Sequence, residues 1–269
     1  MSLSPVPAPP PPRPIDDDEE EEAQGIGGKM SFLEHLDELR QRLIKALLAV
    51  LVGFVVSLAF INPIFDFVMA PLQAILPSGG RLIYTEPTEA FMLYMKMAAL
   101  VGLMIALPVV LWQIWAFIAP GLYAHEKRFA IPFVGMSTVF FIGGALFSHY
   151  VVFPAMWRFF ASFSTDTVEF APRIQPVFSL YVRMALGLGA VFEMPTLIMF
   201  LARVGLVTPR FLVRNTKYAI LIIFVVAALV TPSPDVVSQF LLALPMFVLY
   251  AFSILVAWVF QKRTPVVRD

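Results

Sequence analysis

Three stretches of this chain, residues 46–65, 97–124 and 129–148, carry no charged side chain over the length of a bilayer crossing. A helix needs about 20 apolar residues to traverse the hydrocarbon core. Backbone polar groups are satisfied there only within helices or closed barrels. Runs this continuous read as helices, because a barrel strand alternates apolar and polar residues. A fourth stretch, 178–201, is apolar but includes Arg183 and Glu193, and two more follow at 218–230 and 236–260. The expectation is an all-α integral membrane protein with six transmembrane helices. The composition agrees: 59% of residues are hydrophobic and 14% charged, where a soluble domain keeps about a quarter charged.

The fifth stretch is short. As a helix it rises only about 20 Å, against a core of roughly 30 Å. It reads either as half of a re-entrant hairpin or as a span through locally thinned bilayer. The second reading is preferred, because Arg214 and Lys217 bracket one end and Pro232 the other. Between the last two stretches, Thr231-Pro232-Ser233-Pro234-Asp235 predicts a tight reversal whose prolines stop the helix.

Six spans place both termini on one side. That side holds Lys29, Arg40, Arg42, Lys45, Lys127, Arg128, Arg203, Arg210, Arg214, Lys217, Lys262 and Arg263; the other holds Arg81, Lys96, Arg158 and Arg173. The excess predicts cytoplasmic termini. Trp112, Trp115, Trp157 and Trp258 fall near span ends, where interfacial tryptophans are expected. The outward segments, about 67–90 and 154–177, are rich in proline and glycine and read as compact caps.

Residues 1–29 are Pro-rich, then acidic from Asp16 to Glu22, then Gly-rich, and predict a disordered, solvated tail. Residues 30–261 form the membrane domain, and 262–269 a short basic tail. Ser31 and Glu34 fit a capping box. Phe32, Leu36, Leu39 and Leu43 then recur at helical spacing, giving an amphipathic surface helix that runs into the first span.

Enzyme motifs fail. His125-Glu126 begins like a zinc-protease motif, but Phe129 stands where the second histidine belongs. Gly28-Lys29 lacks the flanking residues of a phosphate loop, with Ala23 upstream and Met30 following. There is no cysteine and the three histidines are dispersed. No catalytic residue, metal site or cofactor is expected, so any work draws on a partner or on the membrane potential.

Three acids stand out. Glu193 lies about midway through the fourth stretch, two residues before Pro195. An intramembrane carboxyl is costly and usually faces a cavity or partner, although a buried packing role remains the plain alternative. Pro195 cannot donate to the carbonyl of Val191, so a kink is expected there. Glu38 on the surface helix and Glu126 after the second span read, by composition alone, as solvated acids, with Arg42 one turn beyond Glu38.

Several ordered motifs resemble the TatC family, the signal-recognition subunit of the twin-arginine protein translocase. The entry helix reads Phe32-Leu33-Glu34-His35-Leu36-Asp37-Glu38-Leu39-Arg40-Gln41-Arg42-Leu43. Ala70-Pro71-Leu72 follows in the first outward loop. Next come Trp115-Ala116-Phe117-Ile118-Ala119-Pro120-Gly121-Leu122-Tyr123 and His125-Glu126-Lys127-Arg128. Phe192-Glu193-Met194-Pro195 lies in the fourth span, and Thr231-Pro232-Ser233-Pro234-Asp235 precedes Ser238-Gln239. The resemblance is collinear from about 31 to 260 and excludes the acidic tail.

The resemblance implies a concave six-helix bundle in the bacterial cytoplasmic (inner) membrane, with helices five and six short. It implies binding of the twin-arginine signal peptides of folded precursors, with TatA and TatB single-span partners, self-association in a receptor complex, and export driven by the proton-motive force. The family's signal-binding acids fall on Glu38 and Glu126, with Arg40 and Phe117 at positions tied to function. Its intramembrane acid falls on Glu193, and a polar patch for docking partner helices on Thr231 and Gln239. The competing reading is a proton-coupled secondary transporter using Glu193, with Arg183 as substrate ligand, although no internal repeat supports it.

Overall fold

The computed structural model describes residues 32–76, 82–118, 130–165, 167, 170–231 and 235–261. Both tails, Ser31, Glu126 and the prolines of the last turn lie outside them. The helices are α1 (Phe32–Ala59), α2 (Ile61–Gln73), α3 (Pro87–Ile118), α4 (Ala130–Phe147), α5 (Phe153–Ala161), α6 (Ile174–Phe192), α7 (Met194–Val204), α8 (Pro209–Arg214), α9 (Thr216–Val230) and α10 (Val236–Phe260). Five helical stretches are long and apolar enough to cross a membrane, and α9 is a sixth, shorter apolar helix. The protein is a multi-pass membrane protein.

The chain divides into two compact units, one ending at Gln41 and one beginning at Arg42. The described part of the first is a helical stretch whose leucines Leu33, Leu36 and Leu39 are exposed. The second contains the spans.

Proline sets most boundaries. The first span was expected to run to residue 65, but α1 stops at Ala59 and α2 begins at Ile61. Pro63 has no N–H, and its ring would clash with the carbonyl of Ala59 four residues back. The third span, expected to end at 148, instead continues to Ala161 through a π-helical turn, Ser148–Val152. That turn buries His149, whose ring stacks on Phe67 at 4.3 Å and meets the Tyr181 hydroxyl at 3.1 Å through Nδ1.

The fifth helix is short, as expected, at 15 residues. The sixth is not: α10 has 25 residues, a rise of about 37 Å. Nothing charged interrupts the chain between Asp235 and Phe260, and Pro245 is accommodated within the helix.

The tryptophans also depart from expectation. Trp112 and Trp258 are exposed, but Trp115 and Trp157 are buried. Trp157 joins Phe153, Phe178, Met156, Met184 and Leu242 in the main core, while Trp115 packs with Phe133, Leu107 and Met199 in a second cluster. Large aromatic rings packed against neighbouring helices bury extensive apolar area and dominate core energetics.

The two outward segments are stitched together. Ile83 and Arg173 form a parallel bridge, with the Ile83 N–H donating to the Pro172 carbonyl at 3.3 Å and the Ile174 N–H to the Ile83 carbonyl at 3.0 Å. The buried Glu89 carboxylate accepts from the Thr85 N–H at 2.9 Å and from the Arg173 guanidinium at 3.2 Å, and the same guanidinium donates to the Thr85 hydroxyl. The clasp ties the start of α3 to the start of α6, 84 residues apart. Arg173→Ala is expected to lower the melting temperature of the detergent-solubilised protein more than Glu89→Gln does. The first strands a buried carboxylate without its cation, whereas the second keeps an acceptor for the Thr85 N–H. Equal melting of both variants and the parent would show that the clasp does not hold the cap.

Candidate functional site

The fourth span is divided at Glu193. Helix α6 ends at Phe192 and α7 begins at Met194, with Pro195 in its first turn. The missing proline N–H leaves the ladder open at this point, and the Glu193 carbonyl restarts it by accepting from the Leu197 N–H at 2.9 Å. The kink expected from Pro195 is a locally tightened turn at the acid: Glu193 keeps helical dihedrals (φ −69°, ψ −15°), and its N–H donates to the Ala190 carbonyl, three residues back, at 3.2 Å.

The Glu193 side chain is half-buried. Ser137 lies beside its carboxyl, and the Ser137 hydroxyl accepts from the Trp115 indole N–H at 3.0 Å. Three spans thus contribute to one polar cluster: Trp115 from α3, Ser137 from α4 and Glu193 between α6 and α7. Trp115 is held by Phe200, edge-on at 4.9 Å, and by Phe133 at 5.4 Å. One carboxyl oxygen, Oε1, is buried without a hydrogen-bond partner. In a low-dielectric setting such an oxygen is a strong acceptor for an incoming donor. Arg183 does not fill it: it is exposed on α6, and among the described residues no ion pair joins the two.

Sequence reading missed Ser137 and the role of Trp115. Ser137 and Thr138 are a polar pair inside an otherwise apolar run, and that was the available signal. Thr138 spends its hydroxyl on the carbonyl of Val134 one turn back, at 2.8 Å, which leaves Ser137 as the residue that reaches across helices.

Thr231 and Gln239 lie on either side of the last turn. Thr231 caps α9: its N–H donates to the Ala227 carbonyl at 2.9 Å and its hydroxyl to that of Ala228 at 3.3 Å. Asp235 caps α10 by accepting from the Ser238 N–H at 2.7 Å. One turn on, the Gln239 amide crosses to α9 and donates to the Phe224 carbonyl at 2.9 Å. Gln239 therefore ties the short fifth helix to the sixth.

In the first unit, Glu38 is partly buried, with 17% of its side chain exposed, and its carboxylate lies 3.9 Å from the His35 ring. Arg40 is exposed. Phe117 sits in the last turn of α3, half-buried. Glu126 lies outside the described residues. Among the described residues there is no group of acids and histidines fit to hold a metal ion.

The family profile described as TatC, Sec-independent protein translocase protein, matches residues 34–245. The chain belongs to the TatC family. The TatC protein of Desulforapulum autotrophicum is 45% identical over 235 residues, covering 87% of each chain. That of Koribacter versatilis is 42% identical over 239 residues, again covering 87% of each. A crystal structure of the twin-arginine translocase receptor TatC in DDM superposes with a TM-score of 0.74 at 36% identity, over 82% of this chain and 98% of that one. This TatC-family chain is a component of a Sec-independent protein translocase, a family that is not enzymatic. The secondary-transporter alternative is left without support. Glu38, Arg40, Phe117, Glu126, Glu193, Thr231 and Gln239 all fall inside the matched range.

Proposed function

We propose that this protein is the receptor that captures twin-arginine signal peptides at the cytoplasmic face of the bacterial inner membrane, with both termini in the cytoplasm. Glu38 and Glu126 each take one arginine, with Arg40 and Phe117 beside them. The apolar part of the signal then inserts against the spans. Glu193 offers its unpartnered oxygen to a polar group on that segment or on a partner helix. Thr231 and Gln239 dock the single helices of TatA- and TatB-type subunits, and copies of the chain associate within the receptor complex. Export of the folded precursor draws on the proton-motive force, in keeping with the lack of any nucleotide-binding motif. The observation that carries this reading is the match to a twin-arginine translocase receptor along most of the chain.

The physical case rests on recognition geometry. A carboxylate accepts two parallel hydrogen bonds from one planar guanidinium. An ammonium group cannot present that fork. The test is binding of a fluorescent twin-arginine signal peptide to membranes containing the full chain, beside the same peptide with two lysines. The arginine peptide is expected to bind about tenfold or more tightly, a difference of roughly 1.4 kcal/mol. Indistinguishable binding of the two peptides would refute the receptor reading.

A further inference from the structure

Between Glu193 and Asp235 the chain contains no acidic residue, yet it carries Arg203, Arg210, Arg214 and Lys217. Helix α8 places Arg210 and Arg214 one turn apart, on one face. Both are exposed, and among the described residues neither forms an ion pair. Lys217 follows three residues after Arg214, its ammonium 5.1 Å from the centre of the Tyr218 ring.

Beneath the two arginines lies an open slot of about 580 Å³ between α8 and the end of α10, lined by Val213, Ala251, Leu255 and Trp258 as well as by Arg210 and Arg214. Trp258 is 66% exposed at the end of its span, the position of an interfacial aromatic. The slot is built rather than incidental. The Tyr250 hydroxyl donates to the Leu212 carbonyl at 2.8 Å and pins α8 against α10, and the Thr208 hydroxyl caps α8 by accepting from the Phe211 N–H at 3.2 Å. Apolar walls beside the end of a span, two guanidinium groups at the rim without an ion pair among the described residues, and an aromatic edge match one ligand chemistry: an acyl chain joined to an anionic phosphate.

We infer that Arg210 and Arg214, with the slot against Trp258, form a binding site for one anionic glycerophospholipid, the phosphate held by the arginines and an acyl chain lying between Val213 and Leu255. Guanidinium groups grip phosphate with paired hydrogen bonds, and basic pockets between spans are suited to anionic headgroups. The site shares no residue with the roles given to Glu38, Glu193 and Gln239, and does not depend on their assignment.

The test uses the full-length protein in nanodiscs of equal phosphatidylglycerol and phosphatidylcholine, with retained lipid counted by native mass spectrometry after detergent transfer. The parent is expected to keep one phosphatidylglycerol preferentially. Arg210→Gln with Arg214→Gln should reduce that preference about 25-fold, at roughly fivefold per arginine. Arg210→Lys with Arg214→Lys, which keeps the charges but loses the paired hydrogen bonds, should fall between the parent and the glutamine variant, and Lys96→Gln with Arg158→Gln, at the other end of the spans, should leave it unchanged. High salt should release the lipid from the parent itself, which needs no variant to fold. Equal retention of the two lipids by the parent, as expected if a partner's apolar helix fills the slot, would overturn the proposal. So would a Lys96/Arg158 variant that loses as much as the Arg210/Arg214 variant.

Discussion

Gly144→Val is expected to abolish the folded, extractable protein, while Gly143→Ala leaves it intact. A Cβ at Gly144 would lie 2.6 Å from the Leu188 carbonyl oxygen and 2.9 Å from the Gly189 Cα. Both are backbone atoms of α6 and cannot rotate away; only the Phe192 ring, at 2.8 Å, could yield. Restoring ordinary contact moves the helices apart by about 0.8 Å, a gap that forfeits a quarter to a half of each contact's dispersion energy. In lipid, packing of this kind is a main force holding helices together. Overpacking alone costs about 1–3 kcal/mol, and a branched side chain at a backbone contact adds the loss along the whole α4–α6 seam. Total stabilities are commonly only about 5–15 kcal/mol. A Cβ at Gly143 would meet nothing within 4 Å, so alanine there gains helix propensity of roughly 0.5–1 kcal/mol. Size exclusion of detergent extracts, followed by thermal melting, reads both. A Gly144→Val protein that elutes and melts like the parent would show that the seam is softer than its geometry.

That contact illustrates what the sequence withholds. Charge-free runs located the spans, because an ionised group in hydrocarbon is costly wherever the fold places it. Pro195 announced the tightened turn at Glu193 by chemistry local to the chain. The Gly144 seam, by contrast, depends on which helix lies opposite, as does the close approach of Gly53 to Gly102, where an added Cβ would run into the Gly102 carbonyl oxygen. The same holds for the Ile83–Arg173 stitch and for Ser137, whose hydroxyl acquires meaning only with Trp115 and Glu193 around it. Trp115 and Trp157 were misread for a related reason. Position along a span suggests an interface, but helix rotation decides whether the ring faces lipid or protein. Glu38, Glu126 and Gln239 came from ordered motifs, not from any signal in their own surroundings. A half-exposed acid on a helix looks alike whether it binds a ligand or water.

Glu38→Gln combined with Glu126→Gln is expected to weaken binding of a twin-arginine signal peptide about 100-fold, with the protein still folded. Each substitution replaces a carboxylate by an amide of the same shape, removing the charge while keeping one acceptor oxygen. Hydrogen bonds to charged groups are worth about 1.5–3 kcal/mol each. The lower end applies here, because an exposed arginine is partly screened before it docks, and two such losses give roughly two decades in affinity. Glu38 is less exposed than an ordinary surface acid, which favours a measurable loss at that position. The single variants should each lose about tenfold if the two arginines are held separately. The lysine peptide, already deprived of the fork, should be affected far less by either change. Titration of labelled peptide into membranes of the four proteins measures all of this at once. Unchanged affinity in the double variant would remove both acids from the binding site, and with them the reason for the selectivity of arginine over lysine.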